Sequence, residues 1–224
     1  MTECGIYTRC GIEVGVASTK AFTNQCLSML LLALFIDQTT NHTDLNKRKK
    51  IISGIKDLPI LISQAIKDCA ELRDLAERFY HKKNCLFLGR GYNFPVALEG
   101  ALKLKEISYI HSEGYSSSSL KHGPFALLDE NFPVIILNMD QTHRAKTLNC
   151  YQEVSSRNAP VLLITNDMSI SREVSCDIIY VPENKSYASL LGIIPIQLLA
   201  YYLSINKGIN PDNPKNLAKV VTVE

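Results

Sequence analysis

Apolar positions in the first eighty residues recur at helical spacing. Ser18 or Thr19 stands where a helix N-cap is wanted, and the run that follows predicts a helix to about Ile36. That stretch is apolar nearly all round, which predicts burial on most sides. Asp37 to Asn46 is polar and reads as a connector, and the four charges Lys47–Lys50 as a solvated helix start. Ile51, Ile52, Ile55 and Leu58 form one helical stripe, and Pro59 suits the first turn of another helix. Leu72, Leu75, Ala76 and Phe79 form a third stripe, so this region is expected to be all helical.

At Asn84 the pattern changes. Short apolar runs at Cys85–Leu88, Pro133–Asn138, Pro160–Thr165 and Asp177–Val181 read as strands, with helices expected from Pro95 to about His111, near 143–156 and over 188–206. Apolar strands alternating with helices predict a three-layer, doubly wound α/β fold whose parallel sheet is covered on both faces. Such sheets hold ligands beyond the carboxyl ends of their strands. That singles out Gly89-Arg90-Gly91 and the loops after Asn138 and Thr165.

Composition narrows the function classes. A formal net charge of +2 gives no electrostatic reason to expect nucleic acid or an anionic membrane. The seven cysteines are odd in number and contain no CxxC pair, so neither a disulfide framework nor a metal site is legible, and a reducing, cytoplasmic setting is expected. The longest apolar run, Cys26–Ile36, is about half the ~20 residues of a membrane span, and it lies too far in, without a basic flank, for a signal peptide. A soluble protein is expected.

Candidate chemistry concentrates after Pro95. At ~100° per residue Glu99, Lys103 and Glu106 share one stripe of the helix, flanked by Leu98, Leu102 and Ile107. The stripe reads first as ordinary ion pairing on an exposed surface, with a carboxylate and an ammonium tuned for proton transfer in a partly dry pocket as the alternative. Spacing alone does not choose. Downstream, His111-Ser-Glu-Gly-Tyr, Ser116–Ser119 and Lys121-His122-Gly123-Pro124 read as a loop between helix and strand, where functional groups collect. The serine run reads first as a turn, with phosphate binding as its alternative. The tail from Pro211 to Glu224 carries Lys219, which reads first as a solvated lysine on a docked terminus.

The segments Glu13-Val-Gly-Val-Ala-Ser-Thr-Lys-Ala-Phe22, Leu88-Gly-Arg-Gly91, Ala97 through Gly114, Leu120-Lys-His-Gly-Pro124, Pro195 through Tyr201, and Asn216-Leu-Ala-Lys219 with Val221-Thr-Val-Glu224 follow one another in the chain. In this order they resemble the C-terminal isomerase domain of the glutamine–fructose-6-phosphate aminotransferases. That domain is a tandem of two sugar-isomerase (SIS) units, flavodoxin-like or Rossmann-like in fold. The resemblance implies three parts: residues 1–83 as the end of a first unit plus a helical linker, 84–210 as a whole second unit, and 211–224 as a tail completing the site. It implies a transaminating ketose-phosphate isomerase that makes glucosamine 6-phosphate from fructose 6-phosphate and glutamine-derived ammonia, with no cofactor.

Carried over residue by residue, Glu106 matches the base that moves a proton between C1 and C2, and Lys103 is its charged neighbour. His122 matches a ring-opening histidine donated across a dimer interface. Lys219 matches a tail lysine that can form a Schiff base with the open-chain ketose. Val16, Ala17 and Ser18 match a loop lining the sugar pocket, and Glu99 is expected beside it. A homodimer or higher homo-oligomer binding a sugar phosphate is implied, with neither nucleic acid nor membrane as partner.

The chain departs from the family in places. Ser118 and Ser119 stand where Gly-Glu is usual, and Lys215 where arginine is. No Ser-Gln-Ser-Gly-x-Thr phosphate loop and no glutaminase domain occurs in the chain, so a truncated, inactive fragment is expected. Cys4 is read as an accident of its segment, not as a glutaminase nucleophile. Two other functions fit the same residues: a non-enzymatic phosphosugar sensor, and a dimerisation piece.

Overall fold

The computed structural model describes residues 5–184 and 186–218. Its centre is a five-stranded sheet in the order β2-β1-β3-β4-β5. The strands are β1 (Asn84–Gly89), β2 (His111–Ser116), β3 (Val134–Asn138), β4 (Val161–Thr165) and β5 (Asp177–Tyr180). Every neighbouring pair is parallel. The helices are α1 (Lys20–Thr40), α2 (Leu45–Asp68), α3 (Leu72–Phe79), α4 (Asn93–Ser108), α5 (Arg144–Ser155), α6 (Ala188–Leu191) and α7 (Ile193–Asn206).

Alternation along the strands builds two cores. Cys85 and Phe87 of β1 face α3, α4 and α7, joined by Ile135, Leu137, Leu162 and Ile164. Leu86 and Leu88 face the other way, against Cys150, Tyr151 and Val154 of α5 and against Leu120. This is the three-layer, doubly wound arrangement that the strand and helix alternation implies.

Four expectations need correction. The segment 111–116 is not loop but the edge strand β2, in register with β1 from Asn84↔His111 to Gly89↔Ser116. The helix before it stops at Ser108, because Tyr109 takes the left-handed conformation (φ 56) that ends helices. Gly114 makes the close packing of this polar strand possible: a Cβ there would sit 2.8 Å from the Leu98 backbone of α4. Pro59 does not start a helix but lies inside α2, which Asp44 caps by accepting from the Lys47 amide at 2.8 Å.

The fourth concerns α1, expected to be buried. Only Ser28 of it is buried, while Met29 (62%), Phe35 (64%) and Ile36 (51%) stand exposed. An apolar helix is covered only when a neighbour exists to cover it, and no described element lies over this side. The helices 20–40 and 188–206 are both long and apolar enough to cross a membrane by length and composition; the second is a core helix, with 56% of its apolar window buried, and the first is only 6% buried.

Arg144 pins the start of α5 to the loop after β4. Its Nε donates to Asp167 at 2.6 Å and its Nη2 to Glu173 at 2.5 Å. Burial alone would raise the Asp167 carboxyl, but hydrogen bonds from Ser169 and Arg144 outweigh it and hold the group below its ordinary 3.8. Burial likewise opposes, and the hydrogen bonds from His143 and Thr142 outweigh, at Asp140, which is also lowered. A carboxyl lowered on folding stabilises fully above its unfolded value and loses that contribution as pH falls through the folded value. Stability is therefore expected to drop as pH falls below the ordinary carboxylate range. Urea midpoints measured from pH 6 downward should show a shallower drop in Arg144→Gln than in the unaltered chain.

Candidate functional site

Helix α4 leaves the carboxyl end of β1 and lies across the sheet, so its inward face is fixed by packing against Phe87 and α7. Gly100 marks the tightest point: a Cβ there would sit 2.9 Å from Phe87 Cε1 and 3.0 Å from Ile196 Cδ1. One turn on, the same face carries Lys103. Its side chain is 4% exposed, yet Nζ sits 2.7 Å from Glu106 Oε2 and 3.4 Å from Glu99 Oε1. The three residues of the stripe therefore form one cluster, and the buried ammonium excludes the surface ion-pair reading. The carboxylates keep some contact with water, at 14% and 22% exposure.

Lys103 opens into a cavity of about 560 Å³. One wall is α4 and α7, through Lys103, Ile107, Ile194, Gln197, Leu198 and Tyr201. The facing wall is Ile12, Glu13, Val14, Gly15 and Ala17 with Thr19 and Lys20, and Pro211 with Asp212 closes a third side. A charged group among apolar walls, with a few polar residues converging on it, is the usual form of a small-molecule site.

The loop at 13–18 is held by the start of α1. Glu13 Oε1 accepts from the amides of Thr19 and Lys20 at 2.8 Å each, and Ser18 Oγ accepts from the Phe22 amide at 3.0 Å. Carboxylate and hydroxyl together take up the donors that a helix start leaves free. Ala17 lines the cavity; Val16 and Ser18 belong to the same loop without lining it. Gly15 lets the tail pass, since a Cβ there would lie 3.0 Å from Asp212 Oδ1.

The tail is anchored from α4. Tyr109 accepts a hydrogen bond at its hydroxyl from the Lys215 amide at 2.6 Å, and Lys215 Nζ sits 4.5 Å from the Tyr109 ring centroid. Lys207 donates to the Ser108 carbonyl at 3.0 Å. Lys219 and Val221–Glu224 lie outside the described residues, as does Cys4. The described part of the tail nevertheless runs along the cavity wall.

His122 is not brought to this cluster. It is exposed, and its neighbour Leu120 packs into the core on the α5 face of the sheet, opposite α4. Lys121 confirms the side, pairing with Glu153 of α5 at 2.6 Å.

Glu13, Tyr109, Gln197 and Asp212 were not singled out from the sequence. Glu13, Tyr109 and Gln197 lie inside or beside the quoted segments, but their roles depend on contacts made across the fold. Among the described residues no cluster of three or more metal-binding side chains occurs.

A family model described as SIS domain matches residues 78–207. Over its whole length the chain is 44% identical to glutamine–fructose-6-phosphate aminotransferase (isomerizing) of Chlorobaculum tepidum, of which it covers 36%. It is 40% identical to the human glutamine–fructose-6-phosphate aminotransferase (isomerizing) 2, covering 33%. The chain thus spans about a third of the length of these relatives. Among solved structures, the C-terminal domain of glucosamine-fructose-6-phosphate aminotransferase from Francisella tularensis is similar, with a TM-score of 0.87 and 38% identity, over 91% of this chain and 58% of that one. Glucosamine-6-phosphate deaminase from Thermotoga maritima is similar with a TM-score of 0.66 and 26% identity, over 93% of this chain and 58% of that one.

Proposed function

Because the chain belongs to the SIS domain family, we propose that it forms the isomerase part of a transaminating ketose-phosphate isomerase. The reaction is the conversion of fructose 6-phosphate to glucosamine 6-phosphate with ammonia taken from glutamine. The observation that carries this reading is Lys103, a buried ammonium held 2.7 Å from Glu106 beside a cavity large enough for a hexose phosphate.

Glu106 is the base. It takes a proton from C1 of the open-chain species and returns one to C2, which requires approach to about 3 Å of each carbon. The Lys103 ammonium offsets charge developing on the enolic intermediate in a site of low dielectric. Glu99 balances that ammonium from its other side. The Val16-Ala17-Ser18 loop flanks the sugar, and the Lys219 amine of the tail condenses with the C2 carbonyl with loss of water, to be displaced from C2 by ammonia before the proton moves from C1 to C2. Since His122 lies on the opposite face of the sheet, ring opening is assigned to His122 of a second copy, which makes the working unit a homodimer or larger.

Residues 1–83 are proposed to hold the end of a first SIS unit, a strand-loop and α1, followed by a helical linker, with the remainder of that unit covering the bare side of α1. The six free cysteines among the described residues suit a cytoplasmic setting.

The chain by itself is expected to bind glucosamine 6-phosphate but to make no amino sugar phosphate from fructose 6-phosphate and ammonia. Calorimetry should give a saturable site that Glu106→Gln weakens. A site indifferent to both Glu106→Gln and Lys219→Ala would replace catalysis by phosphosugar sensing. Robust turnover abolished by Glu106→Gln would keep the enzyme assignment and overturn the inactivity of this chain.

A further inference from the structure

The carboxyl edge of β2, β1 and β3 carries polar groups that the Lys103 cavity does not use. Gly89 and Ser116 form the last paired rung of β1 and β2. Arg90 and Ser117 therefore leave the sheet one residue beyond the same point. On the other side of β1, beyond the end of β3, His143 Nδ1 lies 2.7 Å from Asp140 Oδ2. Gly91, in the left-handed region (φ 56), lies against that ring: a Cβ there would be 3.1 Å from His143 Cε1. Neighbouring strands run about 4.8 Å apart, so the three strand ends lie within about 10 Å of one another.

Several observations point to an anion at this place. Arg90 is half-buried, yet among the described residues its guanidinium has no hydrogen bond and no ion pair. Its guanidinium keeps contact with solvent, so it can take up an anion without breaking an existing ion pair. Ser117 Oγ is closed off from solvent and has no partner either, so turning it toward a ligand breaks no existing bond. The bond to Asp140 orients the His143 ring and leaves Nε2 without a partner among the described residues. Arg90 is within electrostatic reach of the Cys150 thiol on α5, which puts it on the side of the sheet where His143 begins that helix. The topology agrees: in the order β2-β1-β3-β4-β5 the chain reverses its direction of build between β1 and β3, and open α/β sheets bind ligands at that crevice.

We propose that Arg90, Ser117 and His143 form a second anion site, distinct from the Lys103 cavity, that takes the dianion of a phosphate group. Arg90 supplies a planar, permanently charged donor, and the hydroxyl and the imidazole complete the contacts. The serines at 118 and 119, standing where the resembling family has Gly-Glu, keep a carboxylate away from it. The site does not depend on the isomerase reading.

The test is a titration of the ¹⁵N-labelled chain with inorganic phosphate and, separately, with fructose 6-phosphate. The amides of Gly91 and Ser117 report this site, and the amide of Ala17 reports the cavity. Saturable shifts at Gly91 and Ser117 are expected with inorganic phosphate. Arg90→Gln should weaken them about tenfold or more, the loss of a charge-assisted contact, and Arg90→Lys should restore part of the affinity. Tighter binding of fructose 6-phosphate at the same amides would identify a sugar phosphate as the ligand, and equal affinity the free ion. The proposal is overturned if millimolar phosphate leaves Gly91 and Ser117 unmoved, or if Arg90→Gln binds as the unaltered chain does.

Discussion

Lys103→Ala is expected to destabilise the chain by about 3 kcal/mol and to abolish sugar-phosphate binding in the adjoining cavity. The side chain is 4% exposed and lies between two carboxylates. Removing it leaves Glu99 and Glu106 on one helix face with no cation between them. Breaking a buried pair from one side is typically worth roughly 3–5 kcal/mol, and the lower end applies because both carboxylates keep some water. The identity of the cause is open to test. In Lys103→Met/Glu106→Gln one carboxylate and the ammonium leave together and the volume is kept, so most of the stability should return while binding does not. Urea unfolding and sugar-phosphate titrations of the three proteins at pH 7 check both points. A double variant as unstable as Lys103→Ala would mean that lost packing of the lysine stem, not uncompensated charge, sets the cost.

That cluster was half legible in the sequence. The i, i+4 and i, i+3 spacing of Glu99, Lys103 and Glu106 places them on one stripe whatever the tertiary structure. Whether the stripe is wet or dry depends on α7 and on the residue 12–20 segment, distant in sequence, and periodicity carries no information about what packs opposite. The central strands were legible because they are continuously apolar, as strands buried on both faces must be. β2 was not: His-Ser-Glu-Gly-Tyr-Ser contains almost no apolar residue, and it becomes a strand because β1 presents a free edge and Gly114 lets it lie against α4. Propensity loses to tertiary pairing at such edges. The burial of α1 was misjudged for the opposite reason. Its composition records a need for cover, while the described residues supply it only near the start of the helix, around Phe22 and Ser28. The side of the sheet on which His122 lies was likewise invisible, since it follows from Leu120 joining the α5 core.

Gly89→Ala should be the most damaging single methyl group in the molecule, at about 3 kcal/mol. An alanine Cβ at this position would sit 2.3 Å from the Asn93 carbonyl oxygen, 2.4 Å from its carbon and 2.7 Å from the Phe94 nitrogen. All three are backbone atoms of the first turn of α4, so no rotamer change relieves the contact. The helix itself must lift from β1. Asn93 is 1% exposed and its Oδ1 accepts from Ser189 Oγ at 3.1 Å, so lifting the turn also strains the link to α6. Two turns further along, Lys103 would be displaced relative to the 12–17 wall, and sugar-phosphate affinity should fall along with stability. Gly91→Ala is the internal comparison. Its φ of 56 disfavours alanine, but its near neighbour is the His143 side chain, which can rotate away, so about 1 kcal/mol and a normal cavity are expected. Thermal and urea unfolding of the two variants, with glucosamine 6-phosphate titrations beside them, separate the two cases. If Gly89→Ala proves as mild as Gly91→Ala, the junction of β1 with α4 is softer than its contacts imply, and the placement of Lys103 does not depend on it.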